Sequence, residues 1–290
     1  MARPTSPTVS RRELANTLRS LRLRSRKTLE DAAAALEVSA ATVSRIETGV
    51  RVPRARDVKD LCAFYGVTDP KRVAELAALV ADARESGWWE SYTEVDEDYA
   101  TLIGFEQAAT AIQHFENALI PGLLQTPDYT RIYLKEAIDP GRIRPYTEQD
   151  IEKRIEVRLR RQQVLRTGTD LHYTAVIDEA ALLRRVGSVG VMKEQVAQLL
   201  TASERPGTSV HLLPLDRGAN PGQQGGFVIL TMPQTHVSDV VYLELLAGQI
   251  FLEAPVELER HRRIFTSILD SALDVTASQE AFTRILNQYK

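Results

Sequence analysis

Residues 28–53 read TLEDAAAALEVSAATVSRIETGVRVP. The stretch predicts two short helices joined by a tight turn. Thr28 predicts an N-cap, with Asp31 three residues on to reach back to the cap amide. Ala32, Ala33 and Leu36 share one helical face that ends near Glu37. Ser39 predicts the cap of a second helix, Val43 and Ile46 its buried side, and Gly49 its stop. Helices of about nine residues are too short to persist alone, so both must pack on neighbours.

The pattern Ala32-Ala33, Leu36-x-Val38-Ser39 and Val43-Ser44-Arg45-Ile46-Glu47-x-Gly49 resembles the helix-turn-helix of phage-repressor-like (Xre-type) DNA-binding proteins. Two positions depart from it. Glu37 stands where the turn usually carries Gly, which is costly if φ is positive there, and Lys27 precedes the cap in place of an aliphatic residue. The resemblance implies that Ala40, Ala41, Ser44 and Arg45 face base edges in the major groove. It also implies that Arg22 and Glu47 form a structural ion pair beside the DNA backbone. Thr28, Ser39 and Thr42 at the helix starts, and Arg51 and Arg54 after the second helix, are expected to meet phosphates.

The charge distribution fits that expectation. Residues 1–80 carry 15 Lys and Arg against 9 Asp and Glu, and the remainder 21 against 30, so the overall net charge of −3 hides a basic front on an acidic body. At 290 residues the chain is too long for one such module, and two domains are the natural division. No run of 18 apolar residues exists and MARPTSPTVS has no apolar signal core, so a cytoplasmic protein without a membrane role is expected. Cys62 is the single cysteine, which excludes an internal disulfide framework.

Residues 1–9 read as a disordered arm, 10–86 as the helix-turn-helix domain, 87–101 as a hinge around Trp88-Trp89, and 102–290 as an α+β domain for effector or partner binding and dimerisation. Ser10 predicts the cap of a first helix with Leu14, Leu18 and Leu21 buried and arginines opposite. Two further helices, 56–65 and 70–86, bring the all-α front domain to five. Beyond the hinge, the spacing of Ala108, Ala109, Ile112, Phe115 and Leu119 predicts an amphipathic helix over 105–119. A helix from Pro127 through Ile138 and a long one opened by Thr147 and Asp150 follow, the latter with Arg154, Arg158 and Arg161 on one solvated or partner-facing side. After Gly168 the period changes, and strands are predicted at 171–177, 208–213, 226–231, 239–245 and 249–253, one pair parallel and the later ones antiparallel. The expected fold class is α+β, with a mixed sheet in the rear domain.

Gly87-Trp88-Trp89, the turn Pro121 to Thr126, Arg161-Gln162, Asp178-Glu179-Ala180 and Val241-Tyr242-x-Glu244 resemble the actinobacterial regulator family typified by WhiJ-like and antitoxin-like proteins. That likeness implies double-stranded DNA and a small partner protein encoded nearby as binding partners. A small-ligand pocket in the rear domain is the alternative. An enzyme is not expected, and neither is a metal or cofactor. His114, His172, His211, His236 and His261 are dispersed without metal spacing. The glycines at 222, 225 and 226 lack dinucleotide order, and no GxSxG exists. Asp178, Glu179 and Glu244 could gather only if their strands are neighbours; helix capping and surface charge is the plainer reading. One recognition helix reads too few base pairs for a genome, so a homodimer on a near-palindromic operator is expected.

Overall fold

The structure, a computed structural model, describes residues 6–136, 146–166, 170–233, 237–246 and 248–289. Residues 1–5 of the expected arm 1–9, the expected helix end at Ile138, and Gly168 and His236 lie outside the described residues, while residues 7–9 of that arm are helical. Two compact units result. The first holds residues up to Glu90 together with Ala100–Ala108 and Met232–Ser238; the second holds Ser91–Tyr99, Ala109–Thr231 and Asp239 onward.

In the first unit, α1 (Pro7–Arg24), α2 (Leu29–Leu36), α3 (Ala40–Glu47), α4 (Ala55–Phe64) and α5 (Pro70–Arg84) surround one core. Leu14, Leu18, Ala32, Ala33, Val43, Ile46, Val58, Leu61 and Leu76 are buried together there. Each buried aliphatic side chain of Leu size contributes about 1.5–3 kcal/mol, which is what makes the eight-residue α2 and α3 persist. α1 starts at Pro7, earlier than the Ser10 cap read from the sequence. Proline at the first helical position lacks only an N–H that has no partner there, and Ser6 stands in the cap position.

The expected hinge is partly helical. Trp88–Ser91 forms a 3₁₀ turn with the two indoles edge-to-face at 5.7 Å, so the tryptophans are not in extended chain, and Trp89 is buried. α6 (Glu97–Ala108) then begins. Its Ala100–Ala108 portion belongs to the first unit, where Arg12 lies 4.8 Å from the Phe105 ring centre.

The predicted 105–119 helix does not form. α6 stops at Ala108 and β1 (Ala111–Glu116) follows. The apolar residues that fit a helical stripe are divided between a helix end and a strand buried on both faces, Ile112 on one and Phe115 on the other. The second unit continues with α7 (Pro127–Glu136), α8 (Glu148–Arg161), β2 (His172–Asp178), α9 (Glu179–Leu183), α10 (Val189–Ser203) and β3 (Thr208–Leu213). β4 (Phe227–Thr231), β5 (Val240–Leu245), β6 (Gly248–Leu252), α11 (Pro255–Ser271) and α12 (Val275–Gln288) complete it.

The sheet order is β3-β2-β1-β4-β5-β6. β1, β2 and β3 are parallel, with helical crossovers, and β4, β5 and β6 are antiparallel. The α+β class with a mixed sheet is therefore as the sequence predicts, with one more parallel pair than expected. One sheet face, carrying Phe115, Val176, Phe227, Ile229 and Val241, packs on Leu258, Phe265 and Ile268 of α11. The broad stripe of α12 closes the unit's own core: Ala281, Phe282 and Ile285 are buried, and the Tyr289 hydroxyl donates to Leu182 O at 2.7 Å.

Gly104 of α6 marks a close approach. A Cβ there would lie 2.4 Å from Thr8 Oγ1 and 2.5 Å from Thr8 Cβ on α1. Helix propensity alone would favour Ala by about 1 kcal/mol, but overpacking costs roughly 1–3 kcal/mol. Gly104→Ala should lower the urea midpoint, with a net loss of up to about 2 kcal/mol; a raised midpoint would contradict the contact.

Candidate nucleic-acid interface

The turn between α2 and α3 is built from local hydrogen bonds. Thr28 N–H donates to Asp31 Oδ2 at 2.9 Å while Asp31 N–H donates to Thr28 Oγ1 at 3.1 Å, closing a capping box. These bonds hold the Asp31 carboxyl below its usual range. Glu37 ends α2 at φ +56, the left-handed region where Gly is the cheaper residue. Val38 N–H donates to Ala33 O at 3.0 Å and turns the chain. Ser39 then caps α3 by accepting from Thr42 N–H at 3.2 Å.

α3 buries Val43, Ile46 and Glu47. The remaining positions point outward: Ala41 and Arg45 are exposed, and Ala40, Thr42 and Ser44 are half-buried. The four residues expected to face bases thus share one open side of one helix. Thr28, Ser39, Arg51 and Arg54 are exposed as well. Arg51 N–H donates to Arg45 O at 3.0 Å, which folds the segment after α3 back along the helix end.

One buried ion pair fixes this surface. Arg22 of α1 donates from Nε to Glu47 Oε1 at 2.7 Å and from Nη2 to Glu47 Oε2 at 2.9 Å. Its Nη1 donates to Lys27 O at 2.9 Å. The hydrogen bond to Glu47 holds the Arg22 pKa above its ordinary value against the opposing effect of burial. Other arginines of α1 also have structural work: Arg11 Nε donates to Ala83 O at 2.7 Å, and Arg12 packs on Phe105. Arg19, Arg24 and Arg26 remain exposed.

The second unit uses its arginines internally. Arg161 is buried and donates to Tyr99 Oη at 2.8 Å, Arg158 donates to Gln125 Oε1, and Arg154 lies over the Tyr146 ring. The solvated face expected at these three positions does not exist, because each guanidinium has a partner, from another segment for Arg158 and Arg161 and from just before the α8 cap for Arg154. Asp178, Glu179 and Glu244 do not gather either, since β1 and β4 separate β2 from β5. Asp178 caps α9 through Ala180 N–H at 2.9 Å, and Glu179 accepts from Leu215 N–H at 2.9 Å.

Glu47→Ala would leave the Arg22 charge buried without its carboxylate and should cost about 3–5 kcal/mol of unfolding free energy. The double variant Arg22→Met, Glu47→Leu should lose less than the single one, because the pair's desolvation penalty goes with it. Chemical denaturation measures both. A double variant weaker than the single one would show that the pair contributes more than it costs to bury.

The helix-turn-helix domain profile matches residues 13–76. A profile described as a domain of unknown function, DUF5753, matches residues 99–284. No curated protein and no solved structure matches the chain. The helix-turn-helix domain makes DNA binding and transcription regulation, rather than catalysis, the reading of the front unit. Among the described residues, no helix is long and apolar enough to cross a membrane. With most of its length matched by that second profile, the chain belongs to the DUF5753 family and carries a helix-turn-helix domain in front.

Proposed function

We propose that the protein is a sequence-specific transcription regulator of the cytoplasm that reads a near-palindromic operator as a homodimer. Its second unit holds the two copies together and receives a small partner protein. The observation that carries the DNA-reading part is the open side of α3, with Ala40, Ala41, Ser44 and Arg45 outward and Glu47 locked to Arg22 behind them. Small residues at the helix start let the backbone come close to the bases. Arg45 is the side chain that can grip guanine O6 and N7 in two hydrogen bonds. Amides at the starts of α2 and α3, near Thr28, Ser39 and Thr42, attract phosphate, and Arg51 and Arg54 lie exposed beside them.

Support for protein contact in the second unit comes from its sheet edges. The β3 edge is covered: Leu212 N–H donates to Ser278 Oγ at 2.9 Å and Leu212 O accepts from Leu273 N–H at 2.8 Å. β6 is the opposite edge, and Leu245, Leu246, Ile250 and Val256 are exposed around it. An edge strand with apolar neighbours favours association. The resemblance to antitoxin-like regulators supports a small partner protein. A second reading makes this unit a small-molecule receptor, and the polar face that Glu116 and Glu244 share on the sheet favours it.

On the true operator, Arg45→Ala should cost about 1–3 kcal/mol and relax preference at one base pair. Equal losses on specific and random DNA would reduce Arg45 to a phosphate contact. Arg51→Ala and Arg54→Ala should weaken all sequences alike and shrink the salt slope by about one unit each; an unchanged slope removes that residue from the interface. Light scattering of the full chain at micromolar concentration should give twice 32.4 kDa. A monomer that still binds one half-site per protein would end the dimer reading.

A further inference from the structure

The sheet of the second unit has two unlike edges. At β3 the N–H and C=O of Leu212 are taken by Ser278 and Leu273. At the other edge β6 pairs with β5, and among the described residues no strand lies beyond it. An edge strand that stays in solution is usually guarded by a charge, a proline or a bulge. β6 reads GQIFL in unbroken register with β5 and carries none of these.

The register decides which main-chain groups of β6 point outward. Leu245 pairs with Gly248 only three residues on, so this is the hydrogen-bonded pair that closes the hairpin. Hydrogen-bonded pairs alternate along an antiparallel ladder, so Leu243–Ile250 and Val241–Leu252 bond across as well. The N–H and C=O groups of Gln249 and Phe251 therefore point away from β5. These two residues stand on either side of Ile250.

One two-fold arrangement of two copies uses both outward residues. Antiparallel pairing about an axis at Ile250 sets Gln249 of each copy against Phe251 of the other as hydrogen-bonded pairs, and Ile250 against itself. Alternation puts Ile250 on the sheet face of Leu243 and Leu252, which pack on the α11 core. The row across the axis then reads Leu243, Ile250, Ile250, Leu243. The strand ends match too. The hairpin tip of one copy, with Leu245 52% and Leu246 108% exposed, comes beside Ala254 and Val256 of the other, and Val256 is 72% exposed. No like charges face each other: β6 carries none, and Glu244 of each copy stands beside its own Gln249, away from the axis.

We propose that β6 pairs with β6 of a second copy of this chain, joining two six-stranded sheets into one continuous sheet with its two-fold axis at Ile250. This pairing rests on the homodimer reading above and gives the dimer its surface. An isologous contact of this kind closes on itself, so the uncharged edge is used up in the dimer and is not left to recruit further chains. Leu245, Leu246, Ile250 and Val256 are covered in the same step. Both copies of α11 lie on one side of the joined sheet, because an axis normal to the sheet keeps its faces.

The test uses the full chain and light scattering at micromolar concentration. The unaltered chain should give twice 32.4 kDa. Ile250→Lys and Ile250→Asp, at an exposed position, should each give the monomer mass with unchanged circular dichroism, because like charges then meet at the axis. Mixed in equal amounts, the two variants should regain the dimer mass, which a damaged fold would not do. If a charged variant fails to fold, Ile250→Cys decides. Oxidation should link two copies through position 250, since facing residues of a non-hydrogen-bonded pair have Cα atoms about 4.5 Å apart, within disulfide reach; the native Cys62 is buried. A dimer that persists in both charged variants, a mixture that stays monomeric, or an absent cross-link would overturn the β6 pairing and leave the dimer reading standing. A monomeric unaltered chain would end both.

Discussion

The front unit depends on one guanidinium. Arg22 lies on α1, yet its three nitrogens reach Glu47 on α3 and the Lys27 carbonyl just before α2. Three chain segments are thus fixed by one planar, multidentate group. A flexible ammonium could supply the charge but not this fork of donors at set angles. Burying the pair has a desolvation cost, and the two bonds to the carboxylate offset it only because their geometry is good. What the arrangement gains is orientation. α3 has eight residues and a modest apolar face, so hydrophobic packing alone would leave its rotation loosely determined. With Glu47 held, Ala40, Ala41, Ser44 and Arg45 must face outward together.

The second unit is governed by the position of β1. It lies inside the sheet, parallel to β2 and antiparallel to β4. Alternation along this strand lets Phe115 serve the α11 core while Glu116 and His114 serve the opposite face. The two sheet edges have been handled differently: Leu273, between α11 and α12, and Ser278 of α12 satisfy Leu212 at one, while the other is flanked by exposed leucines, isoleucine and valine. Exposed apolar side chains and the polar Glu244 and Gln249 therefore sit on neighbouring strands, β5 and β6.

The helix-turn-helix was legible because its signals are local. Thr28 with Asp31, Ser39 with Thr42, and the spacing of Ala33, Val43 and Ile46 each specify their own few residues. Even the departure at Glu37 was legible as a left-handed turn residue. β1 was not. AIQHFE is buried on both faces, so it lacks alternation, and its apolar residues continue the spacing of α6. Only the pairing with β2 and β4, more than 50 residues on, makes it a strand. The fates of Arg154, Arg158 and Arg161 were hidden for the same reason. A helical wheel shows that they share a side, but Gln125 and Tyr99, which meet Arg158 and Arg161, come from other segments, and Tyr146, which meets Arg154, stands before the helix cap. Pro7 could have been read as a first-turn proline, since Ser6 before it is a cap residue.

The central claim is that the open side of α3 reads the major groove in two symmetric half-sites. Methylation interference on operator DNA recovered with the full chain tests it most directly. Methyl groups on guanine N7 stand in the major groove, and those on adenine N3 in the minor groove. The account predicts that N7 methylation abolishes binding at two clusters about 34–36 Å apart, or a multiple of that, arranged as inverted repeats. Interference confined to adenine N3, or a single N7 cluster with no symmetric mate, would contradict it.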